Sequence, residues 1–260
     1  MKKREKIWDV LYPFIWMMLA VIAATIVASV IAALVTGVRI ADADELSFVP
    51  LFASALFYVA VLVFQRRRFQ LEELRFWADA GAGSVKPACY AAAVAAAIAG
   101  ADLLERIISL LGLYQMFPLY ETEAVKAFRS QNIPLLVVVT VILAPIAEEL
   151  MFRGMVYRRI RGYLGNGAGI VLSALLFGLY HMNMIQLLYA FVLGLFFAWI
   201  YGKTRTLAAP VLCHAAANAS ALLIEYLVDQ LGRITGSAIS VLMAAEAAVA
   251  AAGIFYLLRN

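Results

Sequence analysis

The chain has 260 residues, of which 65% are hydrophobic and 15% charged, with a formal net charge of +4. A soluble domain averages about 45–50% apolar residues, so this composition excludes an ordinary soluble core. The apolar residues form continuous runs of helix-spanning length rather than short alternating segments, which excludes a β-barrel. What remains is an all-α polytopic membrane bundle. The modest positive charge is carried by cations at segment ends and gives no sign of nucleic-acid binding.

The first run begins after Met1-Lys-Lys-Arg-Glu-Lys6 and stays apolar from about residue 10 to 37. That is longer than the ~7–15 residues of a signal-peptide core, so it reads as an uncleaved first span. Further spans are expected near 47–64, 87–113, 134–157, 168–183, 184–202, 207–229 and 237–258, with the first at 8–37. Asp102, Glu105 and Arg106 interrupt the third, and a tight turn at Met182-Asn183-Met184 separates the fifth from the sixth. Between the second and third, residues 65–86 mix charges with Trp77 and read as an interfacial helix ending in a loop at Gly81-Ala-Gly-Ser-Val. Residues 114–133, bounded by Pro118 and Pro134, read as an outer connection. The chain is expected to form a single integral-membrane domain over 1–260, a bundle of about eight transmembrane helices.

Charge asymmetry supports that count. With the N-terminus cytoplasmic, inner segments hold Lys2, Lys3, Arg4, Lys6, Arg66, Arg67, Arg68, Arg75, Lys86, Arg158, Arg159, Arg161, Lys203, Arg205 and Arg259. Outer loops hold only Arg39, Lys126, Arg129 and Arg233. This positive-inside bias places both termini in the cytoplasm. Cys89 and Cys213 stand in separate apolar segments without metal-type spacing and read as small packing residues.

Charges inside apolar runs are the informative exception, because each costs about 2.5–3.5 kcal/mol on insertion scales. The fourth run contains Glu148-Glu149-Leu-Met-Phe-Arg153. Glu149 and Arg153 stand four apart on one helix face, with the acid N-terminal, the favoured order for an ion pair. Glu148 is turned about 100° from its neighbour, which leaves it open for chemistry. The fifth run ends Phe177-Gly-Leu-Tyr-His181, and the seventh contains His214-Ala-Ala-Ala-Asn218 with both polar side chains on one face. Each feature alone has a structural explanation: an ion-pair clamp, a hydrogen-bonded core histidine, polar glue between helices.

Depth links them. At 1.5 Å per residue, Glu148 lies roughly 15 Å above Arg158, His181 roughly 20 Å above Ala168, and His214 on the order of 10–14 Å above Arg205. All three fall near mid-membrane, the arrangement of one shared site. A carboxylate, two imidazoles and an amide suit water activation and oxyanion binding. They also leave zinc open, with ligands from Glu148, His181 and His214. There is no His-Glu-x-x-His, no Gly-x-Ser and no Gly-x-Gly-Asp. Asp102 and Arg106 read as a structural i,i+4 pair, while Glu246 in the last span has no evident partner.

In these motifs the chain resembles the CPBP family, also called the CAAX protease and bacteriocin-processing or abortive-infection family, related to the type II CAAX prenyl endopeptidase. The family pattern is Glu-Glu-x-x-x-Arg, then Phe-x-x-x-His, then His-x-x-x-Asn or Asp, and all three occur here in order. The resemblance makes residues 134–225 the motif-bearing catalytic core. It implies an intramembrane endopeptidase in which Glu148 and His181 activate water, and His214 and Asn218 bind the oxyanion. Glu149 and Arg153 would orient the catalytic helix. A metal-free mechanism is favoured over zinc, which would turn the same residues into ligands and leave no oxyanion donor. The expected substrate is a peptide or protein segment near the bilayer, membrane-anchored or prenylated ones included, and the expected location is a bacterial cytoplasmic membrane. The competing readings are a proton-coupled transporter, since Glu and His also build proton relays, and a non-catalytic scaffold or immunity protein. The chain lacks the paired repeats of carriers, and a scaffold would leave buried polar groups unused.

Overall fold

The computed structural model describes residues 3–37, 49, 51–63, 85–117, 132–231 and 237–260. These are helical throughout apart from short turns, with no strand among them. In chain order the helices are α1 (Lys3–Thr36), α2 (Leu51–Val63), α3 (Pro87–Leu110), the short α4 (Leu113–Met116), α5 (Ile133–Leu164), α6 (Asn166–Tyr180), α7 (Met184–Thr204), α8 (Ala208–Leu231) and α9 (Ser237–Arg259). The interfacial helix expected at 65–86 and most of the connection at 114–133 lie outside the described residues.

Each of the eight apolar runs is helical where described, and among the described residues six of those helices are long and apolar enough to cross a bilayer. The other two, within the described residues, are α2 and α6. At 1.5 Å per residue the 15 residues of α6 extend only about 22 Å, against a hydrocarbon core of about 30 Å. Local chemistry sets those limits. Gly165, at φ +88°, stops α5, and Met182 turns the chain at φ +52° after His181. The Asn183 side chain then accepts hydrogen bonds from the Ile185 and Gln186 amides at 2.9 and 3.3 Å, starting α7. α6 and α7 therefore form a tight antiparallel hairpin.

Two buried clusters organise the bundle. Around Phe152, α1 and α2 contribute Met17, Phe57 and Val61, while α5, α6 and α7 contribute Met151, Phe177 and Ala190. The second cluster joins α3, α7, α8 and α9 through small side chains such as Ala93, Ala97, Cys213 and Ala217. Small residues let helices approach where lipid supplies no hydrophobic drive. The clearest case is Gly253, where a Cβ would meet the Ala92 carbonyl oxygen at 2.7 Å. Both cysteines are buried and free, as their spacing implied. Large apolar side chains such as Leu19, Ile22 and Ile26 face outward from α1, the arrangement a lipid-facing surface requires.

Partly buried polar groups away from the core pair across helices. Arg106 on α3 donates to both carboxylate oxygens of Glu246 on α9, at 2.9 and 3.1 Å. The expected Asp102–Arg106 pairing gives way to this contact, and Asp102 instead accepts from Ser220 on α8 at 3.1 Å. An interhelical partner at ideal distance outcompetes the neighbour one turn away. At the other end of the bundle, Arg159 of α5 reaches Tyr12 at 2.9 Å and Asp9 at 3.5 Å, which ties α1 to α5.

Candidate active site

α5 carries the acidic pair, and its backbone departs from a regular helix on either side of it. Residues Val138–Leu143 and Phe152–Tyr157 are π-helical, a form that appears mostly as single turns at functional sites. The first has a readable cause and consequence. The Ala144 N–H bonds the Val139 carbonyl, five residues back. The next carbonyl in that pattern, Thr140, would need the N–H of residue 145, which is proline and has none. Asn218 fills the gap: its Nδ2 donates to the Thr140 carbonyl at 2.8 Å. Thus Pro145 and Asn218 together pin α8 against α5.

Beyond the proline, Glu148, Glu149 and Arg153 are buried, at 3%, 0% and 0% exposure. Arg153 Nη1 donates to Glu149 Oε1 at 2.8 Å, the pair expected from the four-residue spacing. Its Nη2 donates to the Gly194 carbonyl on α7 at 3.1 Å. A Cβ at Gly194 would stand 3.2 Å from that nitrogen and 3.1 Å from Ala174 Cβ, so glycine keeps room for the guanidinium. Phe177 and Phe197 flank the cation, with centroids 4.5 and 5.4 Å from its central carbon. Such contacts strengthen when desolvated.

His214 of α8 bridges the two acids. Its Nδ1 lies 3.0 Å from Glu149 Oε1, the oxygen that also receives Arg153. Its Nε2 lies 3.8 Å from Glu148 Oε2. The ring stacks on Phe197 with centroids 5.1 Å apart and meets the edge of Phe177 at 5.7 Å. A carboxylate can only accept, so Nδ1 is the protonated nitrogen. Glu149 and two aromatic rings therefore hold the imidazole so that Nε2 points toward Glu148.

His181 closes α6. Its Nδ1 lies 2.9 Å from the Phe177 carbonyl. A carbonyl also only accepts, so Nδ1 carries the proton and Nε2 of the neutral ring keeps its lone pair. The ring packs against Phe177 and Tyr180 at 5.0 and 5.2 Å. It lies within electrostatic range of Glu148, His214 and Arg153, but no direct hydrogen bond joins it to Glu148. The Phe-x-x-x-His spacing thus gains a meaning its sequence did not reveal: Phe177 touches Arg153, His181 and His214 at once.

The 100° offset of Glu148 has the effect expected of it. Glu149 turns into the Arg153 clamp, while Glu148 turns toward α2, where Tyr58 donates to its Oε1 at 2.6 Å. Tyr58 went unnoticed in the sequence. The signal available was a phenol inside an apolar run, whose hydroxyl needs a partner when buried. His214 meets both Glu148 and Glu149, and Arg153 meets Glu149; Asn218 lies one turn beyond His214, and His181 stands beside them across Phe177. Among the described residues, no three His, Cys, Asp or Glu side chains are grouped to hold a metal ion.

Fold and site together define an all-helical integral membrane protein with a polar, aromatic-walled centre inside its bundle. Residues 130–220 match the family described as Type II CAAX prenyl endopeptidase Rce1-like, the segment in which the motifs already pointed to that resemblance. The chain is also similar to the Bacillus subtilis (strain 168) protein named "Putative membrane peptidase YdiL", with 29% identity over 99 residues. That match covers 36% of this chain and 39% of the relative, so the chain spans about two fifths of the curated relative it matches. No solved structure matches the chain significantly.

Proposed function

We propose that the protein is an intramembrane endopeptidase acting on peptide or protein segments at the bilayer of a bacterial cytoplasmic membrane. The observation that carries this reading is the opposed placement of Glu148 and His214. A carboxylate with one committed oxygen faces an imidazole nitrogen at 3.8 Å, inside the segment that matches the endopeptidase family.

In the proposed reaction, a water between Glu148 and the His181 Nε2 lone pair loses a proton to Glu148 as its oxygen attacks the scissile carbonyl. The resulting oxyanion accepts hydrogen bonds from His214 Nε2 and from the second Nδ2 proton of Asn218, whose first is given to Thr140. For His214 to donate through Nε2 its ring must be doubly protonated, and Glu149 beneath Nδ1 balances that charge. Collapse of the tetrahedral intermediate breaks the C–N bond. Glu148 passes its proton to the departing amine, and the other fragment leaves as the acid. Glu149 and Arg153 touch neither substrate nor water in this scheme; they orient His214. Residues 134–225 then form the catalytic core of a single membrane domain.

A metal-free reaction is preferred, because each group already has a role with protein partners. Glu149 serves Arg153 and His214, and Glu148 accepts from Tyr58. Prenylated and otherwise membrane-anchored substrates fit a site reached from within the bundle. The test is cleavage of a peptide library by purified protein in detergent, wild type against Glu148→Gln. The proposal expects cleavage by wild type and about a 10²–10⁴-fold loss in the variant. Equal cleavage removes Glu148 as the base, whereas substrate uptake into sealed vesicles without hydrolysis would make the protein a carrier.

A further inference from the structure

Tyr58 lies far outside the segment that matches the endopeptidase family, yet it makes a short contact to the carboxylate central to the proposed chemistry, 2.6 Å from Glu148 Oε1 and 90 residues away in sequence. Its surroundings hold it there. Phe57, its neighbour on α2, is buried and stacks on Tyr180 of α6 with centroids 6.4 Å apart. The Tyr58 ring packs on Phe57 at 5.0 Å. Tyr180 in turn touches both Phe152 of α5 and the His181 ring, at 5.6 and 5.2 Å. On the other side of Tyr58 and Tyr180 is a cavity of about 240 Å³ between α1 and α2, lined by Val21, Val49 and Ala53 among others. The tyrosine pair is thus the wall between that cavity and Glu148.

We propose that Tyr58 is a positioning residue for Glu148, so that α2, from the N-terminal part of the chain, completes the active site. A glutamate has two torsions beyond Cβ, and its productive oxygen must be fixed within a few tenths of an ångström for proton transfer. The phenol engages Oε1 and commits Oε2 to the side facing His214. Arg153 cannot perform that task, because it is bound to Glu149 and Gly194. The hydroxyl also fills a lone pair that would otherwise be buried beside apolar rings.

The assignment rests on the peptidase reading, and one set of variants separates the two. On any peptide that wild type cleaves, Tyr58→Phe should lower kcat about 10–100-fold, the worth of one hydrogen bond to a charged group. KM should be unchanged, while the melting temperature should fall by about 2–12 °C, since a buried Glu148 lone pair loses its partner. In a Glu148→Asp background, where the shortened carboxylate has left the phenol's reach, Tyr58→Phe should cost nothing further. Val61→Ala, one turn along α2 at a fully buried site, should lower the melting temperature without changing kcat. Full activity of Tyr58→Phe alongside an inactive Glu148→Gln overturns the assignment alone. So does an equal fractional loss from Tyr58→Phe in the wild-type and Glu148→Asp backgrounds, since that outcome means Tyr58 acts through packing. A wild-type protein that hydrolyses no peptide overturns the peptidase reading and this assignment with it.

Discussion

Replacing Arg153 by methionine tests the electrostatic frame of the site. The guanidinium makes two hydrogen bonds, to Glu149 at 2.8 Å and to the Gly194 carbonyl at 3.1 Å, and lies between two phenylalanine rings. Methionine keeps most of the volume and the aromatic packing. What it removes is the charge that compensates Glu149, a carboxylate with no exposure at all. Removing one partner of such a pair costs about 3–5 kcal/mol, because the other stays buried with its charge less compensated; here His214, 3.0 Å from the same oxygen, becomes its remaining partner. For a chain of this size each kcal/mol moves the melting temperature by about 2–4 °C, so Arg153→Met should lower it by roughly 6–20 °C. The assay is thermal unfolding of purified protein in one detergent. Adding Glu149→Gln removes that charge and should recover a large part of the loss, since contacting sites are not additive. A melting temperature within about a degree of wild type, or a double variant showing the sum of two losses, would refute the argument that compensation of Glu149 is what Arg153 provides.

Asn218→Ala leaves the Thr140 carbonyl without a donor and should cost about 1–3 kcal/mol of stability, in addition to the lost oxyanion donor. Pro145→Ala restores a backbone N–H to that carbonyl, so Pro145→Ala with Asn218→Ala should melt higher than Asn218→Ala alone while staying as slow; thermal unfolding and kcat together check both halves. His214→Ala should lower kcat by about 10²–10³-fold with little change in KM, the range for one oxyanion donor, as steady-state kinetics would show. Peptidase activity should survive exhaustive chelation with metal content verified by elemental analysis, and loss that zinc restores would replace the metal-free mechanism.

Much of this arrangement was legible in the sequence because it depends on one-dimensional spacing. Apolar runs marked the helices, and the i,i+4 interval gave the Glu149–Arg153 pair directly. The same interval put His214 and Asn218 on one face of α8, where they touch Glu149 and Thr140 of α5. What escaped depends on which helices become neighbours. Glu246 acquired Arg106 from α3, and Glu148 acquired Tyr58 from α2; neither partner is encoded by local spacing. The π-helical stretches of α5 also escaped, although Pro145 marked a carbonyl that some other residue had to satisfy. The run expected at 168–183 is helical over Asn166–Tyr180 and differs mainly at its end, because hydropathy does not register the turn at Met182.

The central claim is that Glu148 and His181, brought from α5 and α6, activate one water. Its most direct test is the turnover of Glu148→Gln, His181→Ala and the combined variant on a single peptide that wild type cleaves. Groups acting on the same proton are strongly non-additive. Each single variant should therefore lose at least about 100-fold in kcat, and the combined variant should be no slower than the worse of the two. Near-wild-type turnover in either single variant, or losses that multiply in the combined one, would contradict the account.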